Sequence, residues 1–486
     1  MVATVITSIA AAASLTTAII TTDQASLRAA PRDSAQQQAQ LWQGEMVEVR
    51  GERLDYLQVW DHKRERGGYV RASQVRRTAL APAEAGELLA VLRHVRDAPG
   101  DEALGIGLAA AWLKAAPVET LQGAGGIEAF DALGTLADRL ARRASSGATL
   151  SKNAETMLSA HLDVAARYGV QFNTYEHDGR MQVCYNGEAF RRVLAMKSTP
   201  EQQARAALAL TRPECVDPAL RPLERGQVDA WRAEVLDRVD TAGLPGYLKN
   251  RVLMRRATTW SSIAYLRSRT GQPPEQAARR ALDALAGISK TELTDSDLAG
   301  YNDAAMRVSA SRWAAMPAAA GVKASSGKGV ELAVAPGQPG ETCVMLVDAK
   351  HGSDKPLAKR CTYAVVWPQS ATFNREGTAL ALAVQPMEAW RELWVFRKEA
   401  SGWTINVLPP AATAGIGYAE FAGWVPGGAQ MLVAREARGE GRYKHNFEIV
   451  RVAGLTTERQ AGDPSLLGAF QRWQDPGWKR LSVSVR

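Results

Sequence analysis

Apolar and polar residues alternate in short runs over residues 25–75. The segments ASLRAAP, GEMVEVRGE, LDYLQVWD and GGYVRAS carry a period of two, clearest at Met46, Val47, Val49 and at Tyr56, Leu57, Val59, with glycines at the breaks. Strands this short predict a small all-β barrel over 18–78. From about 84 to 316 the period becomes helical, as at Leu88, Leu89, Leu92, Val95 and at Trp231, Val235, Leu236, Val239. Thr199-Pro200-Glu201 and Pro273-Pro274-Glu275 read as helix starts, and GAGG at 123–126 and SSGAT at 145–149 as breaks, within one helical domain over 79–320. Inside it, VQFNTYEHDGRMQVCY (170–185) alternates on both sides of Asp178-Gly179, which predicts a β-hairpin. PAAAGVKASSGKG (317–329) reads as a linker, and 330–486 as a β-rich domain. The expected fold class is multidomain α+β: a small barrel, a mainly helical domain with one hairpin, and an open, propeller-like repeat domain.

The last of these rests on a weak internal repeat. ATFNREGTALALAV (371–384) aligns with AGWVPGGAQMLVAR (422–435), and each is followed by an apolar hairpin, ELWVFRKEASGWTINVL and then FEIVRV. A third, degenerate copy is expected where Phe470 and Trp473 repeat the spacing of Phe421 and Trp424. NREGTALALAV is similar to the blade turn S-P-D-G-x-x-L-A of bacterial periplasmic β-propellers. Three blades do not close a ring, so the resemblance implies an open array of sheets, with a β-sandwich as the alternative.

The N-terminal strands resemble the bacterial Src-homology-3-like domain, whose pattern is L-N-V-R-S-G-P, then L-x-x-G-x-x-V-x-V, W-x-x-V and G-W-V. Leu27, Arg28 and Pro31 match its first element, Leu41, Gly44, Val47 and Val49 its second, and YLQVW (56–60) and GGYVRASQV (67–75) the rest. Ala30 stands for the motif glycine and Tyr69 for the usual Trp. The resemblance covers about a tenth of the chain. It implies a binding or targeting module of the cell envelope with peptidoglycan or a protein as ligand. Tyr56, Trp60 and Tyr69 lie on or beside the strands that would line its groove.

The extreme N-terminus carries no charge over residues 1–22, and its small-residue run at Ala10 to Ala13 suits a signal peptidase. The basic n-region is missing, so 1–17 is read as a truncated signal segment, with a first strand of the barrel as the alternative. Cysteine usage points the same way. The four cysteines fall as two local pairs, and folding ETCVMLVDAK-HGSDKP-LAKRCTYAVVW about Gly352 sets Cys343 opposite Cys361. Cys184 and Cys215 would tie a strand to the end of a helix. Two disulfides favour a periplasmic or secreted protein; four buried thiols in the cytoplasm are the alternative.

Composition changes this picture little. The 486 residues are 46% hydrophobic and 23% charged, which excludes wholesale disorder and an integral membrane bundle. Net charge is +8, with 45 Arg and 14 Lys, a mild excess that argues for no nucleic-acid partner.

Nothing in the sequence spells out a reaction. The histidines at 62, 94, 161, 177, 351 and 445 form no H-E-x-x-H, and no G-x-S-x-G, Walker loop or G-x-G-x-x-G occurs. His161 and Asp163, two apart on a helix, face different ways, and His177 sits at a hairpin tip. Cys184, in a strand, and Cys215, in a Pro-rich bend, do not suit a peptidase nucleophile. No catalytic residue, metal or cofactor is expected. Residues 245–272 hold six Lys or Arg and no acid; with Leu253, Ala257, Trp260 and Ala264 inward, Arg251, Arg255 and Arg256 would form an anion-binding face, unless acids of other helices pair with them. Seven of the 13 tryptophans lie in the last third, where exposed ones would stack on sugars or a partner and the repeat spacing favours core packing. The sequence is thus read as a non-enzymatic envelope binding or scaffold protein. The alternative is a cell-wall or polysaccharide hydrolase with its site where helices meet β-structure.

Overall fold

The uncharged run at the N-terminus ends in a strand. β1 (Thr17–Ile20) lies between β4 (Met46–Arg53) and β7 (Val75–Thr78) and is buried on both faces. Ala18 and Ile20 enter the core of the sheet, while Ile19 packs with the helices. A strand covered on both sides has no use for polar residues, which accounts for the apolar Ala18, Ile19 and Ile20. The computed structural model describes residues 16–145, 151–177, 179–316, 328–439 and 442–481. Most of the expected signal segment 1–17 and of the linker 317–329 lies outside these residues.

The architecture is mixed α+β, with an N-terminal antiparallel sheet, a helical middle and a β-rich C-terminal part. Two compact units divide it, one ending at Ala219 and the other starting at Leu220. That boundary falls inside 79–320, expected as a single helical domain. The cause is packing: the earlier helices share a core with the N-terminal sheet, and the later ones with the C-terminal strands.

In the first unit, β2 (Ala25–Arg28), β3 (Gln37–Leu41), β5 (Tyr56–Asp61) and β6 (Arg66–Arg71) complete a seven-stranded path in the order β3-β2-β6-β5-β4-β1-β7. Leu27, Leu41, Val47, Leu57, Val59 and Val70 fill its inner face. The helices are α1 (Ala85–Arg96), α2 (Glu102–Ala115), α3 (Val118–Leu121), α4 (Ala124–Ser145), α5 (Lys152–Arg167), α6 (Glu188–Ala195) and α7 (Pro200–Leu210). Thr199 and Gln202 form a reciprocal cap at the start of α7, as its Thr-Pro-Glu signal predicts. The hairpin is present too: β8 (Phe172–His177) pairs with β9 (Arg180–Tyr185) across the Asp178-Gly179 turn, although Asp178 itself is outside the described residues.

Helix α2 is apolar nearly all round because it is buried nearly all round. It meets the sheet backbone to backbone. Gly44, at φ +80°, turns the chain between β3 and β4, and a Cβ there would lie 2.1 Å from the Ala103 carbonyl oxygen. A Cβ on Gly107 would lie 2.7 Å from the Gly44 oxygen. The Tyr168 hydroxyl donates to that same oxygen at 2.6 Å. Around this seam, buried Glu45 pairs with Arg64 and Arg167, both at 3.0 Å, and buried His161 sits 2.8 Å from Asp23.

The second unit starts with α8 (Pro222–Asp237), α9 (Gly246–Arg269), α10 (Glu275–Ala286) and α11 (Leu298–Ser311). A three-stranded antiparallel sheet follows: β10 (Glu331–Pro336), β11 (Thr342–Val347) and β12 (Ala358–Thr362). Two four-stranded meanders come next. The first is β13 (Val365–Phe373), β14 (Ala379–Met387), β15 (Trp390–Glu399) and β16 (Gly402–Leu408); the second is β17 (Ile416–Trp424), β18 (Gln430–Gly439), β19 (Arg442–Arg451) and β20 (Thr456–Ala461). They join where β15 runs parallel to β17 for two residue pairs. The internal repeat is legible in the turns, since Gly377 after β13 and Gly428 after β17 have φ of +65° and +70°.

The expected third copy is absent. Residues 468–481 instead form two short helices, α12 (Gly468–Trp473) and α13 (Pro476–Leu481). Phe470 is buried there against Phe447 and Trp478, so the Phe-Trp spacing reflects a cap on the second meander and not a further strand pair.

Candidate functional site

Directly opposed residues of an antiparallel pair share a face. Leu57, Val59 and Val70 point into the core, so the alternate positions of β5 and β6 point away from it. This sets Tyr56 beside Arg71, Gln58 beside Tyr69 and Trp60 beside Gly67, on three successive rungs. On the far side of β5, Glu48 opposes Trp60 and Gly51 opposes Gln58 across a bulge. The three aromatic residues expected in the groove therefore share one face of the sheet.

They are not equally open. Tyr56 is only 2% exposed: the 29–36 connection folds over it, and its hydroxyl donates to Asp33 at 2.6 Å. Arg71 lies over its ring at 5.3 Å and pairs with Asp33 and Asp55. The hydrogen bonds from Tyr56 and Arg71 hold the Asp33 carboxyl below its usual range, and the bond to Asp33 raises the phenol. Tyr56 thus serves as a closed clamp and offers no contact surface, which corrects its expected role. Trp60 and Tyr69 are half-buried. The indole lies flat because Gly67 has no side chain; a Cβ there would sit 3.3 Å from Trp60 Cε3. Arg50 stacks on the ring at 4.5 Å and bonds Glu48 at 3.0 Å, while His62 reaches the other Glu48 oxygen at 2.7 Å. The bond from Arg50 is the main cause of a lowered Glu48 pKa. The face is therefore an indole and a phenol framed by fixed charges, a surface suited to binding.

The basic helix is arranged otherwise. On α9, Arg251 bonds Asp297 at 2.8 Å and lies over Tyr247. Arg256 donates to the carbonyls of Leu236 at 2.7 Å and Val239 at 2.6 Å, closing the C-terminal end of α8. Arg255 is half-buried. Arg251 and Arg256 are thus spent on internal partners, and the expected anion-binding face is not assembled from them. Acids and carbonyls supplied by other helices are the reason.

Both cysteine pairs are joined. Cys184 on β9 is bonded to Cys215 after α7 with Cα atoms 5.7 Å apart, and Cys343 to Cys361 at 3.9 Å, directly across β11 and β12. Glu341 is near the second pair, but its sulfurs are committed to each other and offer no thiolate to a metal.

What the sequence did not announce is the buried charge of the second unit. Glu420 accepts from Arg312 at 2.8 Å and from Arg391, whose guanidinium also donates to the Ser309 carbonyl at 2.6 Å. Burial alone would raise the Glu420 pKa; the two guanidinium groups outweigh it and hold the carboxyl low. Burial pushes Arg391 down to about 10. A carboxylate locked between two arginines is ionised and saturated, which fits a structural tie between α11 and the strands better than proton transfer. A small cavity of about 170 Å³ adjoins it, lined in part by Trp313, Ser370 and Asp475. No periodicity marks such residues, because Arg391 and Arg312 lie 29 and 108 positions from Glu420.

No known protein family, curated protein or solved structure matches the chain.

Proposed function

We propose that the chain is a binding or scaffold protein of the bacterial cell envelope, with no reaction of its own, and that its N-terminal sheet is a Src-homology-3-like barrel recognising peptidoglycan or an envelope protein. One observation carries the reading: Trp60 and Tyr69 are held on adjacent rungs of an outward face whose charges are already paired. Rigid aromatic groups of this kind supply contact energy at little cost in entropy. Two disulfides are compatible with work in an oxidising compartment, periplasmic or secreted, and among the described residues no helix is long and apolar enough to cross a membrane. On the same reading the three-stranded sheet and the two joined meanders of the second unit are blade-like, an open propeller-like array.

The alternative reading, a cell-wall hydrolase, finds its nearest support in the cavity beside Glu420, but the fixed ionisation of that carboxylate argues against it as general acid. The test is co-sedimentation of the whole chain with isolated peptidoglycan, beside capture from an envelope extract. Retention of wild-type protein and loss of retention in a Trp60→Ala, Tyr69→Ala variant is the expected result. Release of soluble muropeptides by the wild-type chain would replace the binding reading with the hydrolytic one.

A further inference from the structure

The second unit carries a separate surface feature. Between the outer strand β20 and the short helix α12 lies an open cleft of about 430 Å³. Its floor is apolar and low, made by buried Ile449 and Leu467 with Gly468, where an added Cβ would meet nothing within 4 Å. One wall is the indole of Trp473, which is 44% exposed while most tryptophans of this region are buried. Its placement is built in. The Trp473 carbonyl crosses the bulge at Gly423, φ +151°, where a Cβ would sit 2.4 Å from it, and Asp475 N–H bonds the Ala422 carbonyl at 2.7 Å.

The rim is charged, and its charges do not cancel. The Glu458 carboxylate accepts from Arg451 and from the Gln430 amide; these bonds, in that order, hold its pKa low, and Arg451 matches its charge. The side chains of Arg459 and Arg472, both exposed, make no hydrogen bond or ion pair among the described residues. Two guanidinium groups therefore stand open on a cleft with an apolar floor and an aromatic wall.

A pyranose ring has the complementary form, with a C–H face for an indole and a low apolar floor and a polar edge for side-chain donors. Guanidinium forks match a carboxylate. We propose that this cleft binds an acidic sugar unit of a glycan, its ring stacked on Trp473 and its carboxylate held by Arg459 and Arg472. The site is independent of the Trp60 face. A single-stranded nucleic acid would instead ask for a run of cations and several stacking platforms along a groove, and this cleft has one indole and two cations.

The test is calorimetric titration of the full chain at low salt with tetragalacturonate, neutral cellotetraose, an oligothymidylate and inorganic phosphate. Tetragalacturonate should bind and cellotetraose should bind at least tenfold more weakly. Trp473→Ala should weaken tetragalacturonate about tenfold and Trp473→Phe much less, and Arg459→Gln with Arg472→Gln should erase the preference for the acidic sugar. Trp60→Ala should leave this binding unchanged, so failure here and failure at the N-terminal face are separable. The proposal is overturned if tetragalacturonate does not bind, if phosphate or oligothymidylate binds as tightly, or if the three variants at 459, 472 and 473 bind as wild type does.

Discussion

Replacing Gly107 by alanine tests how the first unit is joined. An alanine in the interior of α2 should gain about 1 kcal/mol of helix propensity over glycine. Against that gain, the new Cβ meets the Gly44 oxygen at 2.7 Å and its Cα at 2.9 Å. Both are backbone atoms of a turn already pinned by Ala103 and Tyr168, so no flexible side chain can give way. Overpacking of this kind costs about 1–3 kcal/mol, and a rigid neighbour places it near the upper end, for a net loss of about 2 kcal/mol. In a unit of this size that lowers Tm by roughly 4–8 °C. Gly86, on the exposed side of α1 with nothing within 4 Å, is the control: Gly86→Ala should raise stability by about 0.5 kcal/mol. Differential scanning calorimetry of the full chain gives both shifts, and hydrogen exchange in peptides covering 40–50 and 101–115 assigns the transition. If Gly107→Ala matched or exceeded wild type while Gly86→Ala behaved as stated, the close approach of sheet and helix would be refuted.

Removing one member of the buried charge cluster, by Glu420→Gln, takes from Arg312 and Arg391 the carboxylate they share and should cost about 3–5 kcal/mol in chemical denaturation of the second unit. Because the folded Glu420 pKa is depressed, the stability it contributes is complete above the unfolded value and lost as pH falls through the folded one, so wild type should lose its advantage over Glu420→Gln only in acid below about pH 4.5. Tyr168 is the opposite case. Burial raises it to about 12, so its contribution is complete below pH 10 and lost as pH rises towards 12. An alkaline unfolding series should be shallower in Tyr168→Phe over that window, and equal slopes would contradict the assignment. Opening either disulfide by paired Cys→Ser changes, with loops of 31 and 18 residues, should cost about 3 kcal/mol, and non-reducing mass spectrometry of exported protein should find no free thiol.

Local signals carried far in this chain. The pairing of β8 with β9, the cap at Thr199 and the facing of Cys343 on Cys361 all depend on residues within about twenty positions of one another, and the structure has each of them. Signals set by distant partners did not carry. The two covers of β1, the sheet core and the helices, lie further along the chain, so no local pattern shows that the strand is buried on both faces. Arg251 and Arg256 read as an open cationic face because Asp297 and the end of α8 are 46 and about 20 residues away. Tyr56, Trp60 and Tyr69 are expected on or beside the strands of the groove, and the strand register sets them on one face, yet the burial of Tyr56 comes from a connection 23 residues earlier whose Asp33 has no pattern to betray it. Trp473 fits the repeat spacing and still belongs to a helix, since spacing alone does not distinguish a strand pair from a cap.

The central claim, that the Trp60 face binds an envelope ligand, is tested most directly by measuring affinity and stability together in Trp60→Ala. The seam at Gly44 and Gly107 ties the sheet to α2, so the whole chain is the right sample. Binding to purified peptidoglycan, or to the envelope protein captured with it, should weaken by more than about 1 kcal/mol, roughly fivefold or more, while the melting curve stays nearly in place. A sharp fall in melting temperature, with affinity lost only in proportion to unfolded material, would show that Trp60 supports the sheet and that the face has no ligand.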